Sequence, residues 1–122
     1  MILNRLFELT VYDIDSTAGD FRVTKTKRYI AMNYDKDIPI KKLADMVGLN
    51  AVYLDSLFKK ETGATLHQYQ IKVRIKNAEN MLRSGKYKVN KVAEHCGYSD
   101  VLHFSRQFKS VMGFPPSKCI PR

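Results

Sequence analysis

Residues 92–113 read VAEHCGYSDVLHFSRQFKSVMG, and residues 43–63 read LADMVGLNAVYLDSLFKKETG. The two stretches are copies of one pattern. Ala44 matches Ala93 and Gly48 matches Gly97 at an offset of 49. Leu54 then matches Phe104, Phe58 matches Phe108, Lys59 matches Lys109 and Gly63 matches Gly113 at an offset of 50. The later copy therefore carries one extra residue, which this alignment puts early in its second helix. Two copies are too few for a stacked solenoid, so they predict two similar subdomains.

Each copy reads as a short helix, a tight turn and a second, more polar helix. The small residues Ala44 and Ala93 stand where two helices must approach closely. A glycine four residues later supplies the positive φ that a sharp turn requires. Asn50 and Ser99 are expected to cap the second helices, whose backbone N–H groups then form a seat for phosphate. Leu54, Leu57 and Phe58 in one copy, and Phe104 and Phe108 in the other, point inward. Lys59 and Lys60, or Arg106 and Lys109, lie on the opposite face. A helix with a buried apolar side and an exposed basic side suits insertion into a DNA major groove.

Outward from the repeat, glycines and prolines cut the rest of the chain into pieces of helical length with apolar residues three and four apart. The reading is a first segment at about 2–12, a loop through Ser16, Thr17, Gly19 and Asp20, and a helix at about 22–34. Pro39 suits the first turn of a helix at about 40–47, closed by Gly48. Helices follow at about 51–62 and 66–83, the latter with Leu66, Tyr69, Val73, Ala78, Met81 and Leu82 inward. Two more are expected at about 89–96 and 100–112, with a short turn opened by Pro115 and Pro116. The fold class is all-α: two helix-turn-helix subdomains joined by a long linker helix, about seven helices in all. Residues 1–20 read as a connecting segment and 21–122 as the domain, with the helix-turn-helix units at about 40–62 and 89–112.

Composition narrows the partners. The 122 residues carry a formal net charge of +9. Residues 1–20 hold one base, Arg5, against Glu8, Asp13, Asp15 and Asp20, so the excess lies in the remainder. A small basic domain calls for an anionic partner, nucleic acid or an acidic membrane surface. Cys96 and Cys119 form no C-x-x-C pair, which reads as a reduced, cytoplasmic protein rather than a disulfide scaffold. No apolar run approaches the roughly 18 residues of a membrane span, and the N-terminus has no signal-peptide pattern.

With these motifs in place, residues 37–118 resemble the DNA-binding domain of the bacterial arabinose-regulator (AraC/XylS) family of transcription regulators. The stretches that carry the resemblance are I-K-K-L-A-D-x-V-G-L, Y-L-x-x-L-F-K-K-E-T-G, Y-Q-I-K-V-R-I-x-x-A-E-x-M-L, V-A-E-H-C-G-Y-S-D, H-F-S-R-Q-F-K-S-x-M-G and F-P-P-S-K. The resemblance implies sequence-specific binding of double-stranded DNA, with two recognition helices in successive major grooves. By position it implies base reading by Val52, Asp55 and Ser56 in the first unit and by Val101, Leu102, Ser105 and Arg106 in the second. Arg106 is the strongest candidate, since a guanidinium pairs bidentately with guanine O6 and N7. Asn50, Lys59, Lys60, Ser99, His103 and Lys109 are assigned to phosphate, which adds affinity but little sequence information.

Two departures stand out. The family often has arginine where this chain has Ser56, and Asp55 puts a carboxylate on the reading face. That carboxylate needs cytosine N4 or the i+4 Lys59 as a partner. The second unit is therefore expected to contribute more specificity than the first. Cys119-Ile120 replaces a common Tyr-Arg, so a weaker C-terminal cap is expected.

Other conspicuous residues read as structural: Arg74 at the linker junction, Tyr69, Tyr98, Phe58 and Phe108 in the core, and Cys96 as a small apolar residue. His67, His95 and His103 lack ligand spacing, so no metal site is expected. There is no cofactor fingerprint and no nucleophile–base–acid motif, so the chain is read as a non-enzyme. Some DNA-alkylation repair proteins resemble this family and use cysteines, with Cys119 here the one expected to be accessible. A membrane-binding module would need a single basic and aromatic stripe, whereas the basic residues recur in two copies. Residues 1–20 are too short for a sensing or dimerising domain, so the chain is expected to be the DNA-binding part of a larger regulator or a small stand-alone one. Contact with RNA polymerase would need an exposed surface that no motif identifies.

Overall fold

The computed structural model describes residues 19–121, and every regular element among them is helical. In chain order these are α1 (Phe21–Met32), α2 (Ile40–Val47), α3 (Ala51–Thr62), α4 (Leu66–Arg83), α5 (Val89–His95), α6 (Val101–Met112) and a 3₁₀ turn (Pro116–Cys119). The all-α architecture of two helix-turn-helix units on a long linker helix is thus present, with six α-helices among the described residues. The segment expected at 2–12, and most of the loop after it, lie outside the described residues.

A side-chain cap fixes the start of α1. The Asp20 side chain accepts from the Arg22 backbone N–H at 2.8 Å and pairs with the Arg22 guanidinium at 2.8 Å. Hydrogen bonds from Arg22 hold the Asp20 carboxyl at about 2, well below its ordinary value. The Asp20 backbone N–H donates to Glu61 near the end of α3 at 3.0 Å, which ties α1 to the first unit. α1 ends at Met32, two residues earlier than expected, because Asn33 leaves helical geometry at φ −131° and ψ 35°. Pro39 stands one place before the first turn of α2, extended at ψ 142°, and not inside it.

Replacing Asp20 with Ala is expected to cost about 1 kcal/mol, the usual value of an N-cap. The contribution of a carboxyl with a lowered pKa is complete above its unfolded value and disappears as pH falls through about 2. Urea unfolding of the two proteins should therefore differ at neutral pH and converge towards pH 2.

α4 is buried along two sides. At 100° per residue, Leu66, Tyr69 and Val73 share one side, and Ile75, Ala78 and Leu82 lie nearly opposite. The first group packs with Leu43, Leu54 and Phe58 of the first unit, over which Val23 and Ile30 of α1 close. The second packs with Val92, Phe104 and Phe108 of the second unit. This arrangement also buries Ile75 and Glu79, which were not among the residues expected inward, and leaves Tyr69 and Met81 half-buried. Glu79 is paired on its own helix with Lys76 at 3.2 Å and Arg83 at 2.9 Å.

The two units meet at the loop between α1 and α2. Arg74 of α4 donates to the carbonyls of Tyr34 (2.9 Å) and Lys36 (2.8 Å), and its guanidinium lies 5.3 Å from the Tyr98 ring centre. Gly97 lies close against the Asp35 backbone of the same loop. Arg74 therefore does the junction work expected of it, clamping a loop of the first unit while stacking on an aromatic of the second.

Candidate nucleic-acid interface

The repeat is exact in its turn chemistry up to one residue. Gly48 and Gly97 both have positive φ, 74° and 95°. The amide of Leu49 donates to Ala44 at 3.0 Å, and that of Tyr98 donates to Ala93 at 2.9 Å. After this shared turn the copies part. Asn50 caps α3 directly, its side chain accepting from Tyr53 at 2.8 Å. In the second unit Ser99 is an extra turn residue and Asp100 is the cap, accepting from Leu102 at 2.9 Å. Ser99 is therefore not the helix cap, and the added residue lies in the turn rather than within the helix. The start of α6 also carries a carboxylate where α3 carries a neutral amide, so the phosphate seats expected at the two helix starts are not equivalent.

From there on the copies agree residue by residue. Residues 52–66 and 102–116 run through the same sequence of buried, half-buried and exposed positions at an offset of 50. Leu54 and Phe58, like Phe104 and Phe108, are fully buried. Val52 is 79% exposed and Leu102 53%. Ser56, Lys59 and Lys60 of α3 are exposed, as are Val101, Arg106 and Lys109 of α6. Among the described residues no ion pair engages Lys59, Lys60, Arg106 or Lys109. Val52, Ser56 and Lys59 line one shallow groove together with Ile40 at the start of α2.

Two of the expected base readers are placed differently. Asp55 and Ser105 are half-buried. The Asp55 carboxylate accepts from the Leu66 backbone N–H at 2.8 Å, so its partner is the start of α4 and not Lys59. His103 is exposed with its ring edge-on to Tyr98 at 5.3 Å, beside the cleft between the units. Tyr53 holds the equivalent place on α3 and is 49% exposed. The offset of 50 from His103 is the signal in the sequence that marks Tyr53 as a further candidate at this surface.

Both cysteines are buried, Cys119 at 3% exposure. The accessibility expected for Cys119 is thus incorrect, because the C-terminal 3₁₀ turn folds back against α4 and seats it in the second core. Burial pushes the Cys96 thiol up to about 12 and raises that of Cys119 as well, which disfavours a thiolate in either. Ile120 packs on the same core. Among the described residues no group of three or more His, Cys, Asp or Glu side chains is arranged to hold a metal ion, and no helix is long and apolar enough to cross a membrane.

A family model described as a helix-turn-helix domain matches residues 43–120, from within α2 to the residue after the 3₁₀ turn. The chain belongs to the AraC-type helix-turn-helix family. Among its relatives, the Msm operon regulatory protein of Streptococcus mutans is 28% identical over 112 residues, covering 92% of this chain and 40% of that protein. The C-terminal domain of AraT, a response regulator from Geobacillus stearothermophilus, superposes with a TM-score of 0.79 at 26% identity, covering 84% of this chain and 86% of that one. The DNA-binding domain of AdpA, solved with a target DNA, shares the fold with a TM-score of 0.73 at 21% identity, covering 80% and 87%. The chain spans less than half the length of the curated AraC-type relatives it matches.

Proposed function

We propose that this AraC-type domain binds double-stranded DNA sequence-specifically as the DNA-binding part of a longer transcription regulator, with α3 and α6 in successive major grooves. The observation that carries the reading is the pair of equivalent exposed surfaces, Val52-Ser56-Lys59 and Leu102-Arg106-Lys109, on helices whose opposite sides are fully buried. The 18 residues of α4 span about 27 Å. With a recognition helix projecting beyond each end, that approaches the ~34 Å between successive grooves.

Within this reading Arg106 recognises guanine, and Val52, Val101 and Leu102 meet thymine methyl groups. Ser56 and Ser105 discriminate weakly. Lys59, Lys60 and Lys109 face phosphate, joined by Asn50, Ser99 and His103 at the rims. The second unit carries more of the specificity, since α3 offers no arginine on its exposed face. That AdpA was solved on its target DNA supports the reading by likeness of fold.

Titration of labelled duplex at several salt concentrations tests the phosphate assignment. Lys109→Ala is expected to weaken all sequences about equally and to lower the magnitude of the salt slope by about 1. Base-dependent weakening would move Lys109 to the reading face instead.

A further inference from the structure

Asp55 and Ser105 stand at equivalent positions of the two recognition helices, and both are half-buried. In the first unit the next element is α4. Its first residue, Leu66, is fully buried and still has an N–H to place, and Asp55 Oδ1 accepts it at 2.8 Å. In the second unit the next element is the 3₁₀ turn. Its first residue is the equivalent Pro116, also buried, which has no N–H at all. The carboxylate is present where a buried amide needs an acceptor, and absent where proline removes the need.

Two other amides at the start of α4 are served by a reciprocal pair of side chains. Thr65 accepts from the Gln68 N–H at 3.1 Å, and Gln68 accepts from the Thr65 N–H at 3.0 Å. Asp55 thus completes a cap from a different helix, eleven residues back along the chain. A negative group there also meets the positive end of an 18-residue helix.

We infer that Asp55 is a positioning residue for DNA recognition: it latches α3 to the start of α4 and so sets the direction in which Val52 and Ser56 face the groove. It does not itself read a base. Val52 and Ser56 lie three residues before and one after the latch and line the groove beside Ile40, at the edge of which Asp55 also sits with its carboxylate engaged by the Leu66 amide. The inference rests on the proposal that α3 enters DNA. It changes which residues of α3 define the site, and it makes the two recognition helices differ in how they are held. Both helices pack aromatic side chains into their cores, Phe58 against Tyr69 in α3 and Phe104, Phe108 and Phe114 in the second unit, and α3 adds the charged hydrogen bond to the start of α4.

The test compares the unsubstituted chain with Asp55→Ala and Asp55→Asn, using selection from random duplexes and hydrogen exchange at the Leu66 amide. Asparagine keeps an oxygen for that amide but removes the charge and adds a donor. With Asp55→Ala, exchange at Leu66 should accelerate about tenfold or more. Preference in the block read by α3 should flatten, while the block read by α6 and the salt slope are retained. Asp55→Asn should restore both the protection and the preference.

A change of preferred base at one position in Asp55→Asn, with Leu66 still protected, would make Asp55 a base reader and overturn the inference. An unaltered α3 block in Asp55→Ala despite faster exchange at Leu66 would reduce it to a fold-stabilising cap and overturn it equally. If the unsubstituted chain selects no motif, the DNA-binding proposal fails, and this inference with it.

Discussion

Gly97→Ala is expected to destabilise the protein by about 3 kcal/mol or more. Two costs coincide at this residue. Its φ of 95° lies in the region that side chains resist, which costs roughly 1–2 kcal/mol for a residue with a Cβ. A Cβ there would also stand 2.3 Å from the Asp35 carbonyl oxygen and 3.0 Å from its carbon, both backbone atoms. Asp35 cannot retreat freely, because Arg74 grips the carbonyls on either side of it, at Tyr34 and Lys36.

The repeat supplies its own control. Gly48 has the same turn role and a φ of 74°, but a Cβ there meets nothing within 4 Å. Gly48→Ala should therefore cost only the backbone term, about 1–2 kcal/mol. Urea unfolding of the two variants checks the account. Equal losses would mean that Gly97 serves its own turn alone and that the packing of the second unit against the Asp35 loop is not needed for stability.

Arg106→Ala is expected to lower affinity for the preferred duplex by about 1–3 kcal/mol, roughly 5- to 150-fold, with no change in unfolding midpoint. The side chain is exposed and pairs with no described carboxylate, so the fold loses little when it is removed. The loss should fall on one block of the site and be strongest where that block holds guanine. Arg106→Lys should recover little, since a point charge does not reproduce a planar two-pronged donor. Competition titrations against duplexes altered one base pair at a time measure this. A uniform loss across all duplexes would place Arg106 on phosphate.

The repeat made most of the fold readable. Gly48, Gly63 and Gly113 mark helix ends, and the expected limits of α2, α3 and α4 coincide with those observed. What was not readable depended on contacts between elements. The shift in offset from 49 to 50 marks an inserted residue without saying on which side of the cap it lies, so Ser99 was taken as the cap in place of Asp100. The exposed faces of α3 and α6 were legible because Leu54, Phe58, Phe104 and Phe108 define the buried side at helical spacing.

Asp55 carried two local readings, a base contact or an i+4 pair with Lys59. Its partner is the buried amide of Leu66, which only the approach of α4 reveals. The inward residues expected on α4 already fall on two sides, Leu66, Tyr69 and Val73 against Ala78 and Leu82, but only the two cores show that these sides serve different units and that Ile75 and Glu79 are buried with the second group. Cys119 looked accessible because a chain end is usually exposed. Here the last turn returns to α4, bringing Pro121 against Gly85.

The most direct test of the central claim is selection of bound sequences from random duplex DNA, carried out at two salt concentrations. The expected result is a site of roughly 15–20 base pairs containing two preferred blocks one helical turn apart, with the block read by α6 the more sharply defined. Failure to bind duplex DNA even at low salt would contradict it outright. A single preferred block would contradict the two-groove arrangement.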